Sequence, residues 1–351
     1  MQFIKTIFWN DEQQRLRAFW RLTAQLIALA GIALLLQTGL GLVAFGVLMA
    51  QENIALEQLS NPQVTQEILG AQAVQQFVLE SPFMMTLYTL AMLLACVLSI
   101  WPAAHFLDRR PFADFGFHLD KDWWMDFGFG LSLGAFLMLI IFLVEFAFGW
   151  VTVSGTFVTR NPGAPFPLAI LPPLFTFLAV GFYEELFSRG YQLQNLAEGL
   201  NWPAIGPGAA IVIAAVLSSA VFGVLHVANP NSSAISTFNI FVAGALPLGV
   251  GYLLTGEMAI PIGVHITWNF FQGNVFGFPV SGVDFSSATF VAVEQAGPRL
   301  WTGSVFGPEA GLVGLGAMLL GGLLTILWVR WRYGRIRLHL ALAEPPDQSQ
   351  R

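Results

Sequence analysis

Residues 168–189 read LAILPPLFTFLAVGFYEELFSR, and this stretch decides the fold class. It carries no charge from Leu168 to Tyr183, and then Glu184, Glu185 and Arg189 arrive together. A helix rises about 1.5 Å per residue, so a hydrocarbon core needs roughly 20 apolar residues. The run fills most of such a span. Near a helix centre each carboxylate or guanidinium costs roughly 2.5–3.5 kcal/mol, so three facing lipid would cost on the order of 7–10 kcal/mol. These groups must therefore face a protein interior or a water-filled cavity.

Further apolar runs lie outward from this one: Leu22–Ala50, Phe83–Phe106, Gly128–Trp150, Ala209–Val227, Ile235–Leu254, Met258–Phe278 and Gly311–Trp331. With Leu168–Leu186 they make eight candidate spans. The runs are continuous rather than alternating, which favours helices over barrel strands. The chain of 351 residues is 56% hydrophobic and only 10% charged, with a mean hydropathy of +0.67. A soluble domain carries about 25% charged residues. The expected fold is all-α, a polytopic membrane protein with about eight transmembrane helices. It reads as one integral membrane domain in three parts: helices and loops of 1–165, a core at 166–280, and a loop, last helix and tail at 281–351.

Arg160 and Arg299 fall on one side of this topology and Arg189 lies inside a helix; the rest of the 15 basic residues fall on the other side. That asymmetry predicts a multi-pass protein of the plasma membrane with both termini cytoplasmic. Residues 10–18 are polar and the apolar run after Arg21 exceeds a signal-peptide core, so it reads as an uncleaved first span. Cys96 is the sole cysteine, which excludes an internal disulfide or a cysteine zinc site. The net charge of -6 is scattered through loops, and no basic patch with interleaved aromatics suggests a nucleic-acid partner. Residues 51–82 form an acidic external loop in which Asn61-Pro62 resembles a helix start and Val64, Ile68, Phe77 and Val78 share a face. Residues 107–127 read as an interfacial segment with Trp123 and Trp124 at headgroup level. The tail 344–351 is polar and reads as disordered.

Three motifs carry chemistry: Glu184-Glu185-x-x-x-Arg189, Phe222-x-x-x-His226 and His265-x-x-x-Asn269. Glu185 and Arg189 have the spacing and order of a helical ion pair, which alone is a structural device. Glu184 points about 100° away around a 3.6-residue helix and suits a general base. A single helix histidine is commonly just an interior residue; two of them with Glu184 and Asn269 suggest a shared cavity. Phe222 reads as a packing shelf for His226. Asn269, one turn after His265, can offer an amide N–H to an oxyanion. Glu184 and His226 are equidistant from position 205, inside the turn-forming stretch 201–208. With Gln192–Asn201 projecting into the cytosol, the site is expected at shallow depth on the cytoplasmic side.

In this order on successive apolar helices, the three motifs resemble those of the CPBP family, the CaaX prenyl protease and bacteriocin-processing, or Abi-type, intramembrane endopeptidases. The resemblance covers about 166–278. It implies an eight-helix, glutamate-dependent protease of the lipid bilayer, its site open to the cytosol, that cuts a membrane-associated, in some cases lipidated, protein or peptide. Carried over by motif, Glu184 and His226 would prepare the water. His265 and Asn269 would stabilise the oxyanion, and Glu185 and Arg189 would shape the site.

Other readings stay open on the residues alone. His226 and His265 could hold Zn²⁺ with a carboxylate, or the same groups could act without metal. A non-proteolytic bacteriocin-immunity or scaffolding protein would keep the fold, and a proton-coupled transporter would also bury acids and histidines. Gly130-Leu-Ser132-Leu-Gly134 fits a nucleophile elbow but sits in a helical run, where small residues serve packing.

Overall fold

The computed structural model describes every residue except 1–5, 52, 53, 55–57, 59, 60, 62–69, 162 and 347–351. The apolar runs form helices: α1 (Ala18–Gln51), α2 (Ala71–Glu80), α3 (Pro82–Pro102), α4 (Lys121–Ala147), α5 (Leu171–Glu185), α6 (Gln194–Leu200), α7 (Gly206–Leu225), α8 (Ala234–Ala245), α9 (Gly249–Thr255), α10 (Ala259–Phe270) and α11 (Leu312–Tyr333). A π-helical stretch, Leu186–Leu193, joins α5 to α6. Among the described residues, seven helical stretches are long and apolar enough to cross a membrane, including Phe166–Leu200, Gly206–Ala228 and Leu312–Tyr333. The protein is thus an all-α, multi-pass membrane bundle.

The expected eighth span, Met258–Phe278, is the exception. It is α10, 12 residues, extended by five residues of π-helix, which is about 25 Å of rise. It forms the centre of the bundle, and every residue from Ala259 to Ile266 is buried. Close approach makes this possible. A Cβ on Gly130 of α4 would lie 2.6 Å from the Ile260 carbonyl, and one on Gly263 would lie 2.6 Å from the Phe127 carbonyl. Gly130 and Gly134 therefore serve helix packing, and Ser132 faces outward, its hydroxyl donating to Gly128 O at 2.8 Å.

Both described chain ends meet at one end of the bundle. Arg15 and Arg21 pair with Glu198, and Arg21 also pairs with Asp108, while Asn201 Nδ2 donates to Ala343 O at 2.9 Å. The polar stretch expected to project into solvent is instead buried here, Gln192, Gln194, Asn195 and Glu198 included. Trp123 is also buried, its indole donating to Gly116 O, whereas Trp124 is 55% exposed. At the opposite end β1 (Val151–Thr159) pairs antiparallel with β2 (Ala288–Gln295). On α2, Val78 packs against Ala44 and Met84; Val64 and Ile68, and the tail beyond Pro346, lie outside the described residues.

Candidate active site

The Glu-Glu pair sits where α5 passes into the π-helical stretch, so the two side chains leave the helix in different directions. Glu185 is fully buried. Its Oε1 accepts from Arg189 Nη1 at 2.9 Å and from His265 Nδ1 at 2.7 Å. Arg189 in turn stacks its guanidinium 4.4 Å from the centre of the Phe222 ring. Glu185 is therefore more than half of an ion pair, because it also orients a histidine 80 residues away. Removing one partner from such a buried set costs roughly 3–5 kcal/mol.

Glu184 faces the other way and keeps contact with open space, its side chain 21% exposed. The Tyr183 hydroxyl donates to its Oε1 at 3.2 Å, and its Oε2 lies 3.8 Å from His265 Nε2. Tyr183 was invisible to motif reading; its only signal is its place beside Glu184.

The two histidines are held in defined tautomers by their partners. His226 ends α7, and its Nδ1 lies 2.7 Å from the Phe222 carbonyl. A carbonyl can only accept, so Nδ1 carries the proton and Nε2 is left as an acceptor. The Nδ1 of His265 donates to the Glu185 carboxylate. A hydrogen bond from its Nε2 to an oxyanion therefore requires the ring to carry both protons. Phe222 stands between them, its ring 4.8 Å from that of His226 and 6.2 Å from that of His265.

One cavity of about 350 Å³ is lined by Glu184, His226, His265 and Asn269 together. A second, apolar cleft of about 460 Å³ shares Tyr183, Glu184, Phe222, His226 and Asn229 and runs between α1 (Leu26, Leu29, Ala33) and α7 (Leu225). Met85 and Thr89 of α3, Val280, Ser281, Val283 and Phe285, and Glu309 also line the first cavity. These lie at the end of the bundle away from the described termini. The expectation that Gln192–Asn201 projects as a polar tip is corrected: the stretch is packed helix, with Gln192, Gln194, Asn195 and Glu198 buried.

Among the described residues no three His, Cys, Asp or Glu side chains converge to hold a metal ion. Both Nδ1 atoms are engaged, which leaves the two Nε2 atoms of His226 and His265 and the Glu184 carboxylate facing the cavity. As they stand, these groups do not converge into a ready zinc centre.

Buried charge, two oriented histidines and a cavity inside a helical membrane bundle suit hydrolytic chemistry. Comparison with protein families bears on the same helices. Residues 166–271 match the type II CAAX prenyl endopeptidase Rce1-like family. No curated protein and no solved structure matches the chain significantly. The Rce1-like segment runs from the start of the helix bearing Glu184 to just past Asn269, so all three motifs lie within it. It agrees with the CPBP resemblance over the same helices.

Proposed function

We propose that this protein is an intramembrane endopeptidase that hydrolyses a peptide bond of a membrane-associated substrate with an activated water. The observation that carries this is the single cavity shared by Glu184, His226, His265 and Asn269. Glu184, held by Tyr183 but still open to the cavity, takes the proton from water, and the free Nε2 of His226 shares that work. The water attacks the scissile carbonyl. The developing oxyanion is met by Asn269 and by a doubly protonated His265, whose charge Glu185 balances. The proton then passes to the leaving nitrogen. Fixed donors in a site screened from water stabilise such an oxyanion far more than in bulk solvent.

The apolar cleft between α1 and α7 offers a hydrocarbon chain or an apolar helix a sideways route from lipid to Glu184. With the basic end in the cytoplasm, by the positive-inside rule, the described rim of the cavity faces the other side. The substrate then arrives within the membrane plane. The test is cleavage of lipidated and transmembrane peptides by the reconstituted full chain. Glu184→Gln, which keeps shape and removes the base, should abolish turnover. A well-folded Glu184→Gln protein that still cuts would remove this reading. Protein stripped of metal and verified as such should stay active; loss of activity restored by Zn²⁺ would overturn the water-and-base scheme.

A further inference from the structure

A carboxylate outside the three motifs also lines the cavity. Glu309 lies just before α11 and is 4% exposed. Its Oε1 accepts from the Ser281 backbone N–H at 2.5 Å and from the Ser281 hydroxyl at 3.1 Å. Its Oε2 accepts from Gln272 Nε2, which also donates to Pro279 O at 2.6 Å. Ser281 has φ +48°, a left-handed conformation that a residue with a Cβ adopts only when its surroundings impose it. Its carbonyl is held as well: Asn229 Nδ2 donates to it at 3.0 Å. Asn229 comes three residues after His226, at the end of the turn that closes α7. The segment 279–283 is thus a strap across the cavity, presenting Val280, Ser281 and Val283 to it. The next residue, Gly282, is pinned by its N–H donating to Phe306 O at 2.7 Å.

We propose that Glu309 is a positioning residue: by fixing Ser281 it holds the strap over the cavity and, through Asn229, holds the His226 end of α7 in register with Glu184. The inference rests on the peptidase reading above. Without the carboxylate, the Ser281 N–H loses its acceptor, and the left-handed backbone rests on the Val280–Val283 pairing and the Gly282 bond to Phe306 alone. The strap loosens at Ser281, and the tie to Asn229 weakens with it. Rate should suffer more than substrate affinity, because small misplacement of a reacting group weighs on the chemical step.

The test is steady-state cleavage of one lipidated peptide by the full chain in vesicles. Glu309→Ala should lower kcat about ten-fold or more with a smaller change in KM. Adding Ser281→Gly to that variant should restore several-fold of the lost kcat, because glycine adopts positive φ without a steric penalty. Adding Ser281→Ala should restore nothing. If Glu309→Ala does not fold, Asn229→Ala breaks the same chain of contacts at its other end and should show the same kcat loss. Near-wild-type kcat in the variant that folds, or restoration by Ala as readily as by Gly, would overturn the proposal. Glu184→Gln runs beside them: if it is dead while Glu309→Ala is fully active, only the strap inference fails. If Glu184→Gln itself still cuts, the peptidase reading fails.

Discussion

Two clusters of buried charge sit in this bundle, and they are built on opposite plans. At the terminal end, Arg15, Arg21 and Arg110 close on Glu198, and Arg21 also closes on Asp108. All five side chains are essentially sealed, and both carboxylates are spent on guanidinium groups. In the centre, Glu185, Arg189 and His265 form an equally buried set, but Glu184 beside them keeps a fifth of its surface and pairs with no guanidinium. The first cluster consumes its charges to fasten residues 15–21 and 108–110 to α6. The second uses one carboxylate to fix the geometry and leaves the next one available. Adjacent residues of one helix thus differ: Glu185 is spent on the scaffold, and Glu184 stays open for the chemistry proposed above.

The comparison breaks if activity and stability do not separate along that line. The largest effect belongs to the open carboxylate. Glu184→Gln should lower kcat/KM by about 10²–10⁴ while leaving the unfolding midpoint in detergent unchanged or raised, since it removes charge from a membrane interior. The sealed cluster should behave inversely. Glu198→Ala leaves Arg15 and Arg110 without a carboxylate and Arg21 with Asp108 alone, and should cost about 3–5 kcal/mol of stability, seen as a lowered midpoint in thermal unfolding. The fraction still folded should keep its turnover. Equal loss of turnover per folded molecule would show that the two clusters are coupled. Asn269→Ala comes next, with a loss of about 10²–10³ in kcat, the scale of one oxyanion donor, and little change in KM. A pure KM effect there would make Asn269 a substrate-binding group instead.

Much of the centre was legible in the chain. The motif positions, the helical class and the turn at 201–205 followed from apolar run length and from ionisable residues too costly to face lipid. The surroundings of the polar stretch were not legible. Gln192–Asn201 looks solvent-facing because it is polar, and its burial depends on Arg15, Arg21 and Arg110, which are 183, 177 and 88 residues from Glu198. No periodicity announces such a pairing. Likewise Met258–Phe278 has the composition of a span, yet its small residues and central packing make it a shorter core helix. Glu309 gave no signal either: it stands in Gly307-Pro-Glu-Ala-Gly311, and its partners are Ser281, in a tight turn, and Gln272, in the π-helical extension of α10.

The smallest effect belongs to the strap and sharpens the comparison, because its carboxylate is buried without a cation. Burial pushes the Glu309 carboxyl up to about 7, despite the donors around it. Between its ordinary value and about 7 the unfolded chain has released that proton and the folded protein still holds it. Folding then binds a proton, so stability falls as pH rises through this window, by at most about 1.4 kcal/mol per unit. Above about 7 both states are ionised and the contribution is flat. From pH 5 to 7 the wild type should therefore lose about 2 kcal/mol relative to Glu309→Gln, with no further divergence at pH 8. Thermal unfolding of the two proteins in the same detergent across that range reads the difference directly. A gap that widens with acid instead would mean that the donors from Ser281 and Gln272 outweigh burial. Glu309 would then belong with Glu198, as a carboxylate fully satisfied by its neighbours.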